Sequence, residues 1–419
     1  MLERILSREN LLLALQRVEK NKGSHGVDGM QVESLREYFI EHWQSLKEQL
    51  LTGTYFPNPV RRVEIPKPNG GVRKLGILTV IDRFLQQAIA QVLTQIYDPT
   101  FSYHSYGFRP NKRGHDAVRQ ARSYIKEGKR WVVDIDLEKF FDKVNHDRLM
   151  QKLSERIKDR RVLQLIRRYL QAGVMEHGLV QPNTEGTPQG GPLSPLLSNI
   201  VLDELDKELE SRGLDFVRYA DDCNIYTRSK RAGLRTMANI TRFIEVKLKL
   251  KVNEQKSAVD RPWRRRFLGF SFTSHKESPK IRIHKESIKR FKQRIKELTS
   301  RKHSIEMEQR IERLNRYLVG WLGYYQLAET PSIFRNMDSW IRRRLRMIRW
   351  KEWKKTKTKH TNLMKLGIDR WKAWEWANSR KAYWRISSSP ILNRALGNKY
   401  WQKQGLKSLS NRYQNLRWT

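Results

Sequence analysis

The sequence has almost no cysteine and no long apolar run. Cys223 is the one cysteine among 419 residues, so the chain can form no internal disulfide and no zinc site built on cysteine pairs. This cysteine usage is typical of a reducing cytosol. No apolar stretch is long enough to span a bilayer, and residues 1–6 mix acid and base instead of starting a signal peptide. We therefore expect a cytoplasmic protein without a membrane partner.

Acidic residues are scarce relative to basic ones. Lys and Arg number 84 against 44 Asp and Glu, which gives a formal net charge of +40 at pH 7. A chain with this charge repels itself unless an anionic partner screens it. Nucleic acid is the expected partner, because each neutralised phosphate releases a condensed counterion. An anionic membrane is the competing interpretation, and the absence of a spanning segment weighs against it.

The positive charge is concentrated in the last third of the chain. From residue 280 to the end there are 36 Lys and Arg against 10 Asp and Glu, and ten of the thirteen Trp lie there. Apolar residues at helical spacing predict three helices, which together indicate a small bundle. Residues 354–360 are interpreted as a basic linker. The three apolar stripes are Ile288, Phe291, Ile295 and Leu298; Ile311, Leu314, Leu318, Trp321 and Tyr325; and Met337, Ile341, Leu345 and Ile348.

The preceding part alternates between helical and strand patterns. The predicted helices cover residues 3–20, a segment that ends near residue 51, and residues 80–97. The predicted strands cover residues 61–66, 72–75 and 131–136, and a hairpin over 216–227. Asn69-Gly70-Gly71 predicts the turn between the first two strands. This alternation indicates an α/β architecture up to about residue 275.

Two pairs of carboxylates are the strongest chemical signal in that part. Asp134 and Asp136 lie two residues apart in a predicted strand, so both side chains point to one face. Asp221 and Asp222 lie at a tight turn inside an apolar hairpin. Acids this close repel one another unless cations lie between them, and Mg²⁺ is typically held by one or two carboxylates plus substrate phosphates. The alternative interpretation is a turn of two solvated acids.

Three motifs carry a resemblance to the reverse transcriptases. They are Tyr219-Ala220-Asp221-Asp222, Asp136-Leu137-Glu138-Lys139-Phe140-Phe141-Asp142, and Gly186-Thr187-Pro188-Gln189-Gly190-Gly191-Pro192-Leu193-Ser194-Pro195-Leu196-Leu197. They occur in the order and at the spacings of that family. The resemblance implies two Mg²⁺ ions, with Mn²⁺ as a substitute, held by Asp136, Asp221 and Asp222. One ion would activate the attacking 3′-hydroxyl and the other would steady the leaving pyrophosphate.

The same resemblance indicates which acid of the first pair, Asp134 or Asp136, binds metal. In related enzymes an aromatic residue follows the metal-binding Asp by five positions. Asp136 and Phe141 satisfy that spacing, whereas Asp134 and Lys139 do not. Phe141 is then the sugar gate, whose ring leaves no room for a 2′-hydroxyl. An ordinary core Phe is the alternative, and Phe140 is the competing gate.

Further nucleotide contacts are implied by the resemblance. Lys67 and Arg73 flank the first hairpin turn and resemble the residues that grip the triphosphate, where the guanidinium fork suits phosphate oxygens. Gln189 would contact the incoming nucleotide near its sugar. Lys256 resembles a Lys that protonates or neutralises pyrophosphate, and a solvated Lys is the alternative.

The segment Phe267, Leu268 and Gly269 resembles the primer grip. A glycine at that place would let the backbone approach the primer end closely. A buried strand with a bulge is the alternative structure, and it is compatible with the same role.

Other segments resemble the group II intron enzymes in particular. They are Asn21-Lys22-Gly23 with Gly26-Val27-Asp28-Gly29, Arg62-Val63-Glu64-Ile65-Pro66-Lys67-Pro68, Ser105-Tyr106-Gly107-Phe108-Arg109-Pro110, and Val144-Asn145-His146-Asp147. The chain is similar to the compact bacterial group IIC type without an endonuclease domain. The implied partners are group II intron RNA, an RNA template with its DNA primer, target DNA and deoxynucleotide triphosphates. A splicing-only maturase and a reverse transcriptase of another bacterial retroelement are the alternatives.

The fold implied by the resemblance is an α/β right-hand polymerase of fingers and palm, followed by an α-helical thumb and a small basic C-terminal domain. The expected boundaries are 1–55 for the N-terminal extension, 56–275 for fingers and palm, 276–353 for the thumb, and 354–419 for the C-terminal domain. Basic residues of the fingers and thumb are expected to bind RNA: Arg61, Arg62, Arg109, Lys112, Arg113, Arg342, Arg343 and Arg346. Five tryptophans are either core residues or stacking platforms for unpaired bases: Trp371, Trp374, Trp376, Trp384 and Trp401.

Overall fold

The structure is a computed structural model that describes residues 1–66, 71–176, 179–181, 185–186 and 190–418. The chain divides into two compact units, Met1–Pro262 and Trp263–Thr419, here called the first and second units. The first unit combines helices with two four-stranded sheets, and the second is mainly helical. In the described residues we find no helix with the length and apolar character that crossing a membrane requires.

The helices of the first unit surround one apolar core. The most buried is α4, in which apolar residues occupy most of the surface, so it runs through the centre instead of presenting one face. The hydroxyl of Thr79 caps it by accepting from the backbone N–H of Asp82 at 3.2 Å. The helices are α1 Leu2–Ile5, α2 Arg8–Asn21, α3 Leu35–Thr52, α4 Val80–Tyr97, α5 Gly114–Lys126, α6 Phe140–Lys143, α7 His146–Arg156, α8 Arg160–Gln171, α9 Ser194–Ser211 and α10 Lys230–Val246.

The prediction of one helix over residues 3–20 was wrong at its start. The chain forms α1 and α2 with a break at Leu6 and Ser7, where Ser7 adopts an extended conformation. The backbone N–H of Leu2 donates to Asp159 Oδ2 at 2.9 Å, and this contact anchors the short first helix. A contact to a residue so far along the chain leaves no trace in the local apolar pattern.

The strands of the first unit form two sheets, with orders β2-β1-β4-β5 and β6-β7-β3-β8. All neighbouring strands pair antiparallel except β1 and β4, which pair parallel. The predicted hairpin is confirmed by the pairing of β1 with β2, in which Arg61 lies opposite Ile77 and Pro66 opposite Val72. Residues 67–70, which include Asn69 and Gly70 of the predicted turn, lie outside the described residues. The strands are β1 Val60–Pro66, β2 Val72–Ile77, β3 Trp131–Ile135, β4 Val174–Glu176, β5 Leu179–Gln181, β6 Asp215–Tyr219, β7 Asp222–Thr227 and β8 Ala258–Asp260.

The second unit contains the predicted helical bundle. The three predicted stripes are largely buried, as Phe291, Leu314 and Leu345 illustrate with exposures of 0%. The elements are β9 Phe270–Phe272, β10 Ile281–Ile283, α11 Lys285–Leu298, α12 Met307–Tyr325, α13 Ser332–Glu352, α14 Thr356–Lys365, α15 Arg370–Ala377, α16 Tyr383–Ile386, α17 Pro390–Ala395, α18 Asn398–Lys403 and α19 Leu409–Trp418.

The interpretation of residues 354–360 as a basic linker was wrong. Helix α14 begins at Thr356, and its Leu363 is buried in the core of the second unit. The run of Lys residues lies on the solvated part of a helix that is held by its later apolar residue. Charge composition alone does not distinguish such a helix from a linker.

Candidate active site

A two-residue turn between β6 and β7 carries the second acidic pair. Tyr219 lies opposite Asp222 in the register, so Ala220 and Asp221 form the turn itself. Ala220 has a φ of 57°, in the left-handed region that short hairpin turns with the twist of their strands require. The predicted hairpin is therefore confirmed, and its conformation projects Asp221 from the end of the sheet.

Asp136 and Asp221 lie close together at neighbouring strand ends. Ile135, the last residue of β3, lies opposite Cys223, so Asp136 follows the strand beside the turn. Burial raises the pKa of Asp221, and the negative charge of Asp136 raises it further. Asp222 is exposed at the start of β7. Two of the predicted acids thus share one electrostatic environment, and the third borders it.

Two cationic side chains face these acids. Lys256 Nζ lies 3.3 Å from Asp136 Oδ1. The positive charges of Arg73 and Lys256 both act to lower the pKa of Asp221, against the effect of burial. Arg73 and Lys256, which the sequence placed at the triphosphate and pyrophosphate, therefore lie within electrostatic reach of the carboxylates.

The acids fit a hard divalent cation that is shared with a substrate. Among the residues that the structure describes, no cluster of three or more His, Cys, Asp or Glu could hold a metal ion. Mg²⁺ usually keeps several waters and uses one or two carboxylates together with substrate phosphates. Asp136 and Asp221 supply carboxylate oxygens and no sulfur or nitrogen ligand, which suits that ion. The side chain of Asp136 is 31% exposed, so its oxygens are accessible from solvent.

Asp134 has a different set of neighbours. It lies within β3, opposite Asn224 of β7 on one side and Ala258 of β8 on the other. The side-chain nitrogen of Asn224, turned toward it, donates to Asp134 Oδ1 at 3.0 Å. Asp134 is therefore hydrogen-bonded inside the sheet, whereas Asp136 lies just beyond the strand. Strand β3 ends at Ile135, one residue before the predicted end at Asp136.

A buried ion pair supports the turn from beneath, and sequence reasoning did not find it. Arg218 and Asp206 are both 0% exposed, and Arg218 Nε and Nη2 donate to the two carboxylate oxygens at 2.7 and 2.6 Å. Arg218 Nη1 also donates to the carbonyl of Ala220 at 2.9 Å and to Asn199 Oδ1 at 3.0 Å. Ser105 Oγ accepts from Arg218 Nη2 at 2.8 Å. A charged residue inside the apolar run of β6 was the available signal that a buried partner exists.

Two glycines bring motif segments directly against the site. A Cβ atom added to Gly107 would lie 2.2 Å from the backbone nitrogen of Ala220, so this close approach to the turn requires glycine. Gly186 has a φ of +88°, and a Cβ there would lie 2.7 Å from the carbonyl oxygen of Phe141. These contacts explain why the motifs containing the two glycines accompany the acidic turn. Thr187, Pro188 and Gln189, which follow Gly186 in its motif, lie outside the described residues, as does Lys67.

The two candidate gate residues differ in burial. Phe140 is 2% exposed and belongs to the core of the first unit, whereas Phe141 is half-buried and packs only against the edge of that core. Their ring centroids are 5.2 Å apart. A side chain that is to touch a nucleotide needs an accessible face, which Phe141 retains and Phe140 does not.

The segment Phe267 to Gly269 forms a tight turn in the second unit. Leu268 and Gly269 both have positive φ values, of 49° and 82°, and the N–H of Phe267 donates to the carbonyl of Phe270 at 3.0 Å. Tyr324 Oη donates to the carbonyl of Leu268 at 2.8 Å. The glycine is required here, because a Cβ would lie 2.6 Å from the hydroxyl of Tyr325.

Several residues predicted to bind RNA make contacts within the protein. The side chain of Arg109 is only 7% exposed, and its Nε donates to Asp98 Oδ1 at 2.7 Å. Lys112 lies over the ring of Tyr103 at 4.2 Å, and burial together with the charge of Arg109 lowers its pKa to about 8. Arg61 donates to the carbonyl of His25. The expectation of a surface role was wrong for Arg109, since its sequence neighbourhood could not show that its guanidinium is enclosed.

The arginines of α13 diverge from one another. The guanidinium of Arg343 lies 3.9 Å from the ring centroid of Trp384, and its Nη2 donates to the carbonyl of that residue at 3.1 Å. Arg344 donates to the carbonyl of Thr299 at 3.1 Å. Arg342 and Arg346 instead line a common cavity. The arginines of α13 therefore point into at least two different environments.

The tail tryptophans divide between core and surface. Trp401 is 1% exposed and belongs to the core, whereas Trp371 is 82% and Trp374 51% exposed. Trp384 is 38% exposed under Arg343, and Trp376 packs partly against the core. Base stacking needs an accessible ring face, so only the exposed rings retain that possibility.

Comparisons with known proteins agree with the motifs. Residues 65–272 match the family described as "Reverse transcriptase (RNA-dependent DNA polymerase)", and residues 288–371 match "Group II intron, maturase-specific domain". Protein YkfC of Escherichia coli (strain K12) is 33% identical over 297 residues, which cover 61% of this chain and 78% of that protein. Group II intron-encoded protein LtrA of Lactococcus lactis subsp. cremoris is 39% identical over 196 residues, which cover 46% of this chain and 32% of that protein. A chain of the solved "Partial Cas6-RT-Cas1--Cas2 complex" is 27% identical with a TM-score of 0.38, covering 58% of this chain and 42% of its own length.

Proposed function

We infer the function from one premise: this chain belongs to the reverse transcriptases that carry a group II intron maturase domain. It is therefore an RNA-directed DNA polymerase of a family that acts in intron splicing and mobility. From that premise we propose which residues hold the metals and substrates, and which surfaces meet the RNA. The match to LtrA covers about a third of that protein, so partners and the full reaction are included in the proposal.

The observation that carries the proposal is the juxtaposition of Asp136 and Asp221 at the ends of β3 and β6. We propose that these two carboxylates would hold two Mg²⁺ ions, with Asp222 beside them and Mn²⁺ as a substitute. When bound, the ions supply the activation of the 3′-hydroxyl and the neutralisation of the leaving pyrophosphate. Arg73 orients the triphosphate through its oxygens, a role that the resemblance also gives to Lys67, and Lys256 neutralises or protonates the pyrophosphate.

The architecture follows the right-hand polymerase arrangement in this proposal. The sheet β2-β1-β4-β5 belongs to the fingers and the sheet β6-β7-β3-β8 to the palm. Helices α11 to α13 form the thumb, and α14 to α19 form a small basic C-terminal domain. The primer grip is formed by Phe267, Leu268 and Gly269, because the hydrogen bond from Tyr324 to the carbonyl of Leu268 fixes the backbone of this turn. Gln189 contacts the nucleotide near its sugar.

Primer extension tests the proposed polymerase directly. The purified chain is given an RNA template, a DNA primer, deoxynucleotide triphosphates and Mg²⁺, and full-length product is expected. The reaction without divalent metal serves as the control and should give none. Product formation that does not depend on the metal, or its complete absence under all metal conditions, would overturn the proposal.

The Phe141→Ala variant should incorporate ribonucleotides more readily than the wild type. The accessible ring of Phe141 is proposed to occupy the space that a 2′-hydroxyl would need, and alanine vacates it. Single-nucleotide incorporation with ribo- and deoxynucleotides measures the ratio of the two kcat/KM values.

Phe140→Ala is the matched control for the gate. This substitution removes a phenyl ring from the core. It should cost about 3–5 kcal/mol of unfolding free energy without changing sugar preference. If Phe140→Ala relaxes sugar choice and Phe141→Ala does not, the gate lies one residue earlier than proposed.

The maturase role is proposed to use surfaces other than the polymerase cleft. Group II intron RNA would contact exposed basic residues of the fingers, such as Arg113, and the positive surface of the second unit. RNA recognition by phosphate and 2′-hydroxyl contacts suits such arginine-rich faces. Target DNA is the proposed partner of the basic C-terminal domain, and a bacterial cytoplasm is the proposed setting. A splicing-only maturase is the alternative, but the presence of Asp136, Asp221 and Asp222 favours an active polymerase.

A further inference from the structure

A cavity of about 720 Å³ in the second unit is lined by five cationic side chains. They come from α13 and from the segment that runs through α17 and α18, and no acidic residue is present among the described residues of the lining. The five are Arg342, Arg346, Arg394, Lys399 and Lys403. Arg394, Lys399 and Lys403 are exposed at the rim, while Arg346 forms the deepest cationic part. Such a lining is selective for an anion.

Arg346 is buried, and among the residues that the structure describes no carboxylate forms an ion pair with it. Its residue exposure is 6%, and its Nε donates to the carbonyl of Ser387, an uncharged acceptor, at 2.7 Å. Arg342 precedes it by four residues on α13, so two like charges lie on the same face of the helix. Burial, followed by the charges of Arg342 and Arg343, lowers the pKa of Arg346 to about 10. The described part of the chain therefore provides no carboxylate that pairs with the positive charge at the base of the cavity.

The carboxylate of Asp338, which lies near Arg342, is held by donors outside the cavity. Asp338 lies one turn earlier on α13 and is 5% exposed. It accepts hydrogen bonds from the backbone N–H groups of Leu409 and Ser410 at 2.8 and 2.9 Å, and from the hydroxyls of Ser408 and Ser410. These four donors hold the carboxylate at the start of α19, three of them on Oδ2 and one on Oδ1. It attracts Arg342 but does not line the cavity with Arg346.

We propose that this cavity is a phosphate-binding site that holds the backbone of a nucleic-acid strand. Arg346 and Arg342 contact the oxygens of one phosphate at the base, where the guanidinium fork matches a tetrahedral oxyanion. Arg394, Lys399 and Lys403 neutralise the neighbouring phosphates at the rim. Five cations exceed the charge of a single phosphate, which favours a polyanion over a free ion. The phosphate chemistry stands on the cavity alone, whereas its assignment to a nucleic-acid strand rests on the proposed function.

Thermal unfolding in inorganic phosphate, with sodium chloride at matched ionic strength as reference, tests the site itself. Phosphate is expected to raise the melting temperature of the wild type and not that of Arg346→Met. Methionine fills similar volume without charge, so the variant should fold at least as well without phosphate. Arg316→Met removes an equal charge from the side chain that pairs with Glu312, and it should respond like the wild type. Equal stabilisation of wild type and Arg346→Met would overturn the proposal.

The salt dependence of oligonucleotide binding tests the nucleic-acid assignment. The Arg342→Met/Arg346→Met pair should lower the log–log slope by about 0.7 to 0.9, because the two arginines share one phosphate and each neutralised phosphate contributes about that amount. Lys399→Gln/Lys403→Gln changes only exposed side chains and should lower it by about 1.4 to 1.8, one neighbouring phosphate for each lysine, which keeps the test valid if the buried variants misfold. Arg316→Met should leave the slope unchanged.

Two outcomes separate this proposal from the proposed function. If phosphate stabilises the wild type alone but every variant keeps the slope and affinity of the wild type for oligonucleotides, the site binds free phosphate only and the nucleic-acid assignment fails. If the wild type makes no DNA in primer extension yet loses oligonucleotide affinity on substitution at the cavity, the polymerase assignment fails and the phosphate site stands.

Discussion

The Asp221→Asn variant should lose DNA synthesis by roughly 10³-fold or more while it keeps the fold of the wild type. Asparagine preserves the shape of the side chain but removes the charge that is proposed to hold both metal ions. Such ions supply several kcal/mol of charge stabilisation, and each ~1.4 kcal/mol corresponds to a factor of ten in rate. The turn should survive, because Arg218 holds it through the carbonyl of Ala220 and not through the Asp221 carboxylate. Single-turnover primer extension measures the rate, and thermal unfolding checks the fold.

Matched substitutions around the site sharpen this expectation. Asp215→Asn, at the far end of β6 in an ion pair with Lys129, should extend primers at nearly the wild-type rate. Asp136→Asn should be as severe as Asp221→Asn. Asp134→Asn should be much milder, since Asp134 is bonded to Asn224 inside the sheet. A severe loss in Asp134→Asn together with a mild one in Asp136→Asn would mean that the metal ligand was assigned two residues too late.

Intron splicing measured with the same Asp221→Asn protein tests whether splicing and DNA synthesis use separate surfaces. Intron splicing should persist in it, because RNA binding by basic surfaces does not use the carboxylates. A parallel loss of splicing and DNA synthesis, in a variant that remains folded, would contradict separate surfaces for the two functions.

Local sequence patterns were sufficient where a structure depends on neighbouring residues. The helix over 80–97 and the hairpin of β1 and β2 were predicted with nearly the observed bounds, because periodicity and turn residues encode them locally. The positions of Asp136 and Asp221 at adjacent strand ends could be anticipated from two motifs. Their mutual distance could not, because it depends on the pairing of β3 with β7 across about ninety residues.

The features that escaped prediction all depend on distant partners. Arg109 looked like a surface cation, yet Asp98 and nearby carbonyls enclose its guanidinium. The helix α14 looked like a linker, because its anchoring residue Leu363 packs on a core assembled from other helices. The support of the acidic turn by Asp206 was equally invisible. In each case a side chain is defined by contacts that composition and spacing do not record.

Replacement of Arg218 by Met should cost about 3–5 kcal/mol of unfolding free energy. Both members of the Arg218–Asp206 pair are fully buried, so the substitution leaves an uncompensated carboxylate in the interior. Urea unfolding of wild type and variant measures the loss as a lower midpoint. Arg218→Lys should be less damaging, because it keeps the charge, but a single ammonium cannot reproduce the contacts to Asp206, Asn199, Ser105 and Ala220.

The double variant Arg218→Met/Asp206→Leu separates stability from positioning. Replacing a buried ion pair by apolar residues of similar volume is often neutral or stabilising, so most of the lost stability should return. DNA synthesis should not return with it, because the carbonyl of Ala220 then has no donor to fix the left-handed turn that presents Asp221. We expect the double variant to melt near the wild-type temperature, to show a lower kcat and to need more Mg²⁺ for half-maximal rate. If both stability and wild-type kcat are restored, the pair contributes only to folding and the turn holds its conformation without Arg218.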